Sequence, residues 1–343
     1  MKRVTFLLTL LILLWGWQLV WAEGGSLSGQ VLNGTTDPAR PLTGQPVVLY
    51  SLQENEKRLA DTVSGANGEF AFTGLALDPQ LRYVVTTDYA GVTYLSELAT
   101  LSPTTPTLSL PLLVYETTES DTDIVIRPAH ILLAFVDGQL RVQEILFVEN
   151  QGNRTYIGQV DPTLDGKFAT VRLSLPQGAT ELSFADAMVG NSMARTSDGV
   201  VSTNPLAPGR WSYVYSYAVP ISGTTYVFAK PFSYPVYGLN LLVGDAQVRV
   251  ESAQLDFRGT REAQGTRFQY WAQDFLDRHS TLVVSLSQWS QSGPAASGAT
   301  ATLASPSPLR WLVLGLIVVA VFLAVASPFW QERGESPGDT RTG

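Results

Sequence analysis

The sequence predicts an all-β protein: two extracytoplasmic β-sandwich domains in tandem, followed by one C-terminal transmembrane helix. Three observations predict it. Only 15% of the 343 residues are charged, while Gly (29) and Pro (20) are plentiful, a mixture that with many β-branched and aromatic residues favours strands and turns over helices. Short apolar runs separated by Gly, Pro, Asn and Asp recur from about residue 24 to residue 287, at the intervals of all-β sandwiches. The stretch Trp311 to Trp330 carries no charge, and about 20 helical residues at roughly 1.5 Å each span the hydrocarbon core of a bilayer.

The N-terminus reads as an export signal. Lys2 and Arg3 precede an apolar run from Val4 to Trp15, and Val20 and Ala22 place small residues at the −3 and −1 positions of a cleavage site. Residues 1–22 are therefore assigned to a signal peptide. An uncleaved anchor is the alternative, because the apolar stretch up to Ala22 is long for such a region.

Residues 24–115 form the first expected sandwich. Strands are expected at Leu27 to Val31, Val47 to Leu52, Leu59 to Ser64, Glu69 to Thr73, Leu81 to Thr87 and Val92 to Leu95. The turn Ala66-Asn67-Gly68 should join Leu59–Ser64 to Glu69–Thr73 as a hairpin, since Asn-Gly accepts positive φ angles. A Pro/Thr-rich connection over 102–123 ends in Glu116, Glu119, Asp121 and Asp123. Carboxylates so spaced could gather calcium, but no EF-hand pattern accompanies them, and a solvated hinge is the expectation.

Residues 116–287 form the second expected sandwich. Its clearest signal is the hairpin Ile131 to Val136, Asp137-Gly138, Leu140 to Asn150, in which Leu140, Val142, Leu146 and Val148 face one way. Later strands are expected at Ala169–Leu175, Glu181–Phe184, Trp211–Val219, Thr225–Ala229, Tyr237–Val243, Gln247–Phe257 and Leu282–Leu286, with at most one helical turn in Phe268–Leu276. Residues 288–308, rich in Ser, Ala, Gly, Thr and Pro, read as a flexible stalk. Residues 309–330 are the membrane helix, bracketed by Trp311 and Trp330, and 331–343 are a cytoplasmic tail. The expected topology is single-pass type I in the cell membrane, with the bulk of the chain extracytoplasmic. That orientation rests on the signal peptide, because Arg310 outside and Arg333 and Arg341 inside give a weak charge asymmetry.

The first domain also carries a resemblance. Gly29-Gln-Val31, Pro41-Leu42-x-Gly44-Gln-Pro-Val47-Val48-Leu49, Gly65-Ala-Asn67-Gly68-Glu-Phe70-Ala-Phe72-Thr-Gly74-Leu75 and Tyr83-Val-Val resemble the carboxypeptidase regulatory-like domain. That resemblance covers about a quarter of the chain and implies a small transthyretin-like, or carbohydrate-binding-like, sandwich without an activity. The His-x-x-Glu motif of the peptidases bearing that name is missing at both His130 and His279. The whole layout resembles bacterial envelope proteins in which such a module precedes a second β domain and a membrane helix. The residues that carry this second likeness are Asn153-Arg-Thr-Tyr156-Ile-Gly158, Leu175-Pro-Gln-Gly178-Ala179 and Tyr215-Ser-Tyr217-Ala-Val-Pro220. It brings no catalytic residues with it.

Several chemistries are excluded outright. The absence of cysteine removes disulfides, thiolate metal sites and cysteine nucleophiles, and fits a bacterial envelope better than a eukaryotic export route. A net charge of −8 with only four lysines, Lys2, Lys57, Lys167 and Lys230, argues against nucleic acid as partner. No Gly-x-Ser-x-Gly elbow, Walker loop or Rossmann glycine pattern occurs. The sequence therefore predicts no catalytic residues, no cofactor and no metal ligands, and a role in contact and not in catalysis.

The expected partners are the lipid bilayer, through 309–330, and a protein or glycan outside the cytoplasm. One stripe invites a ligand reading: Trp211, Tyr213, Tyr215 and Tyr217 recur at period two and project from one face of a strand. Exposed, they would stack on sugar rings or anchor a partner. Buried, they would fill the core, which the polar opposite face at Ser212 and Ser216 favours. The leading expectation is a membrane-anchored non-enzymatic binding or scaffold protein, accessory to a membrane complex. A carbohydrate- or cell-wall-binding module and an unrecognised hydrolase are the alternatives.

Overall fold

The computed structural model describes residues 24–289, apart from 54–55, 137, 162–163, 165, 167, 245–246 and 264–265. The assignments at 1–22, 290–308, 309–330 and 331–343 lie outside the described residues. Among the described residues, no helix is long and apolar enough to cross a membrane. The described residues are almost entirely strand and turn, with one short helix among them at Ala187–Asn191. It divides into two compact units at residues 116 and 117.

The first unit contains β1 (Gly25–Asn33), β2 (Arg40–Pro41), β3 (Pro46–Leu52), β4 (Glu56–Val63), β5 (Glu69–Leu75), β6 (Arg82–Tyr89), β7 (Val92–Leu95), β8 (Ala99–Thr100), β9 (Thr107–Ser109) and β10 (Leu112–Val114). One sheet gathers β2, β5, β9 and β10 around β1. The other has the order β4-β3-β6-β7, with β8 on β6. Alternate positions are buried in both, as the two-residue period of strands requires: Leu27, Val31, Phe70 and Phe72 in one sheet, Val47, Leu49, Tyr83, Val85 and Tyr94 in the other. Strand β4 lies at an edge with an exposed, charged face of Glu56, Lys57, Arg58 and Asp61, which blunts edge-to-edge pairing.

Two expectations fail in this unit. The Asn67-Gly68 turn forms, with Gly68 at φ 77° and its N–H donating to Gly65 O at 3.0 Å. It does not close a hairpin, because β4 pairs with β3 while β5 pairs with β1. The turn carries the chain from one sheet to the other. The expected hinge over 102–123 is in part strand: β9 and β10 run parallel to β1 and pair with it. They complete the sheet because Gly29 has no side chain. A Cβ there would lie 2.1 Å from the carbonyl oxygen of Leu110.

The second unit contains β11 (Thr117–Thr118), β12 (Ile124–Val136), β13 (Gln139–Asn150), β14 (Thr155–Tyr156), β15 (Gln159–Val160), β16 (Phe168–Ala169), β17 (Arg172–Ser174), β18 (Thr180–Phe184), β19 (Met193–Thr196) and β20 (Gly199–Ser202). It continues through β21 (Gly209–Pro220), β22 (Thr225–Pro231), β23 (Val236–Gly244), β24 (Arg249–Glu251), β25 (Asp256–Ala263), β26 (Thr266–Leu276) and β27 (Thr281–Ser287). A seven-stranded sheet has the order β18-β21-β13-β12-β23-β26-β25, and two three-stranded sheets have the orders β17-β20-β19 and β22-β27-β24. One buried cluster joins them: Ile131, Leu133, Val142, Leu146, Tyr213 and Leu241 from the large sheet, Phe228, Leu282 and Val284 from one small sheet, and Leu173 and Val200 from the other. The core thus lies between sheets, as in a sandwich.

The central strand β12 is buried along almost its whole length. Its near-continuous apolar run suits a strand flanked on both edges, antiparallel to β13 and parallel to β23. Two sequence expectations change here. Phe268–Leu276 holds no helical turn and lies inside the strand β26, paired with β23 and β25. A short apolar run has no decisive period of its own, so its neighbours decide. The single strand expected over Gln247–Phe257 is broken into β24 and β25, because β24 pairs with β27 in one sheet and β25 with β26 in another.

Candidate functional site

The aromatic stripe lies on β21, beside β13. Tyr213, Tyr215 and Tyr217 are buried in the core, whereas Trp211 at the start of the row is 44% exposed and donates its indole N–H to Ala207 O at 3.0 Å. Three of the four rings therefore face the interior, and only Trp211 is open to a ligand. Sugar stacking needs an accessible ring face, so the tyrosines form no surface platform.

What the tyrosines surround is an ion pair. On β13 the inward row Leu140, Val142, Leu146, Val148 is interrupted by Glu144, and Lys230 on β22 falls between buried Phe228 and Phe232, the latter just past the strand. The two interruptions meet across the core. Lys230 Nζ lies 3.0 Å from Glu144 Oε2, with side-chain exposures of 1% and 0%. Tyr215, directly opposite Glu144 in the β13–β21 register, donates its hydroxyl to Glu144 Oε2 at 2.6 Å, and Tyr217 donates to Oε1 at 2.7 Å. Lys230 Nζ also donates to the carbonyl oxygen of Ser174, and lies 3.3 Å from the Tyr215 hydroxyl. Each ammonium hydrogen thus has an acceptor and both carboxylate oxygens have donors, the condition under which a buried polar network rigidifies a core.

Electrostatics follow from burial. Burial pushes Tyr215 and Tyr217 well above the ordinary tyrosine range, and the adjacent Glu144 carboxylate pushes the same way. Burial lowers Lys230, while Glu144 opposes the shift. Tyr213, with no such carboxylate, is raised by burial to about 12. Sealed from solvent, the cluster has no route for a substrate, and its arrangement fastens β13 and β21 of the large sheet to β22 and β17.

The two histidines sit apart. His130 is 9% exposed on the opposite face of the large sheet, where Asn240 Nδ2 donates to its Nδ1 at 3.2 Å and Tyr270 donates to Asn240 Oδ1 at 2.7 Å. Burial lowers its pKa to about 4, so it is neutral at physiological pH. His279 is exposed in the turn before β27, at φ 58°. Two of the four acids of the expected hinge are engaged by protein groups: Glu116 accepts from Tyr89 at 2.5 Å, and Asp121 pairs with Arg278 at 2.7 Å. Among the described residues, no group of His, Asp and Glu could hold a metal ion.

One exposed aromatic group went unnoticed in the sequence. Tyr237 and Phe275, 38% and 42% exposed, are in register on β23 and β26 with ring centroids 5.0 Å apart, and the Arg127 guanidinium lies 4.5 Å from the Tyr237 centroid. No motif flags it, because the three residues come from separate strands.

No family model and no curated protein matches the chain. Among solved structures, a shaft pilin from Lactobacillus rhamnosus GG is similar at 12% identity, covering 60% of this chain and 90% of that one, with a TM-score of 0.21.

Proposed function

We propose that the chain is a membrane-anchored extracytoplasmic scaffold built from two β-sandwich domains in tandem, working by contact and not by catalysis. The Glu144–Lys230 cluster supports this reading most: the second unit's strongest set of ionisable groups is closed inside the core and used to hold sheets together. The signal-like N-terminus and the uncharged Trp311–Trp330 stretch favour the envelope as its setting. The motif over Gly65–Leu75 favours a carboxypeptidase regulatory-like first domain. Membrane fractionation of a tagged full chain, followed by cross-linking in intact cells, tests the proposal. Expected are recovery in the detergent-soluble membrane fraction and cross-links to a membrane complex. Recovery in the cytosol without detergent would overturn it.

A second reading, a glycan- or cell-wall-binding module, is favoured by the exposed rings of Trp211, Tyr237 and Phe275. Aromatic faces of this kind stack on sugars. Glycan-array binding that disappears in Trp211→Ala or Tyr237→Ala would support it, and a blank array would remove it.

A further inference from the structure

The second unit takes in the chain at one pole and releases it at the other. The incoming chain joins β12 at Ile124, beside Asn150 of β13, Gly209 of β21 and Leu276 at the end of β26. The outgoing strand β27 begins at Thr281, opposite Pro231, and finishes at Ser287, opposite Thr225. Thr225 follows closely after Pro220, which pairs with Gln139 at the far end of β13. Two residues past β27, the ring of Trp289 stacks on Phe135 near the far end of β12, with centroids 5.1 Å apart and planes 13° from parallel. Thirteen residues of strand at about 3.3 Å each separate the two poles by roughly 40 Å.

Both poles are pinned. Asp121, just before β12, takes two bonds from Arg278 in the β26–β27 turn: one guanidinium nitrogen donates to its carboxylate at 2.7 Å and another to its carbonyl oxygen at 2.9 Å. At the other pole the Trp289–Phe135 stack holds the outgoing chain. Tension between the poles therefore runs along β12 and β27. Hydrogen bonds between strands lie across the strand direction. A pull along the strands loads the bonds of β12 to β13 and β23 together, and those of β27 to β22 and β24 likewise. A pull across them breaks one pair at a time. Glu144–Lys230 ties β13 to β22 and so couples the two loaded sheets.

We infer that the second unit is a tension-bearing strut: its strands are arranged to resist force applied between the incoming and outgoing chain. This deepens the scaffold reading and takes its setting from it, but its test needs no membrane attachment, so either can fail alone.

The chain has no cysteine, so handles can be placed at will on the full-length protein in detergent. Thr122→Cys with Gln288→Cys pulls along the strands. Thr122→Cys with Gln151→Cys pulls the β12–β13 hairpin apart from its open end. All three positions are exposed. Ser120→Cys, also exposed, replaces the Thr122 handle if that variant unfolds at a lower temperature than the parent. At equal loading rate, the long-axis pair is expected to need roughly twofold or more force to unfold, because forced unfolding reports the barrier along the pulled direction. Equal or lower force along the long axis would overturn the inference.

Discussion

Lys230 on β22 and Glu144 on β13 meet 3.0 Å apart inside the core that divides their sheets. Removing one partner strands the other charge in a medium that cannot solvate it. Lys230→Met is expected to cost about 3–5 kcal/mol, the usual range for breaking a buried pair. Lys230→Met with Glu144→Gln should recover part of that, since Gln keeps an acceptor for the tyrosine hydroxyls. Urea midpoints of the full chain check this, and a double variant no more stable than Lys230→Met would contradict the account.

Trp211 and Tyr215 share a stripe but should respond differently. Trp211→Ala removes a half-open ring and is expected to cost about 1 kcal/mol or less, by analogy with surface substitutions. Tyr215→Phe deletes a hydroxyl from a sealed network and leaves Glu144 Oε2 one donor short, for an expected loss of about 1–3 kcal/mol. Thermal unfolding of the two variants side by side measures the contrast.

Acid should weaken the second unit through His130. Its folded pKa of about 4 lies below its ordinary 6.5, so the unfolded chain binds the extra proton first. The stability is fully present above pH 6.5 and lost as pH falls towards 4. A shift of that size corresponds to about 3 kcal/mol. His130→Gln should flatten the loss over this window, read as unfolding midpoint against pH.

Alkali acts through the tyrosines. Burial raises Tyr213 to about 12 and pushes Tyr215 and Tyr217 well above the ordinary tyrosine value of 10, so their contribution is present below pH 10 and lost as pH rises above it. Lys230, lowered by burial, works with the opposite sign: below about 10.5, stability rises with pH. The phenolate absorbance of these tyrosines should therefore appear together with unfolding and not before it.

Gly29→Ala tests whether the strands after residue 106 belong to the first unit. A Cβ there would sit 2.1 Å from Leu110 O and 2.6 Å from the Phe70 ring. Backbone cannot yield as a flexible side chain can, so the expected loss reaches or exceeds the roughly 1–3 kcal/mol usual for overpacking. A melting temperature unchanged from the parent would refute that packing.

Strand existence was legible where alternation was strong. The Ile131–Asn150 hairpin and the Trp211–Val219 strand lie inside β12–β13 and β21. Partners were not legible. Asn67-Gly68 announces a turn, yet whether β5 returns to β4 or crosses to β1 depends on what lies beneath Phe70 and Phe72, which no local pattern encodes. The Pro/Thr-rich 102–123 region read as linker because β9 and β10 are three residues each, too short to show a period. The core ion pair did leave a trace: an acid in the row Leu140, Val142, Leu146, Val148 and a lysine between Phe228 and Phe232. Each break alone looks like noise. Only the fold shows that they answer each other.

The parallel neighbour of β12 has a consequence for how the chain is made. Its antiparallel side closes at once, since β13 follows directly, but its other side must wait for β23, roughly a hundred residues later in synthesis. Until Val236 arrives, a strand destined to be mostly buried presents an unsatisfied row of amides to whatever is nearby. A nascent chain stalled before that point keeps an open edge on which another copy can pair, for the whole interval between the two strands.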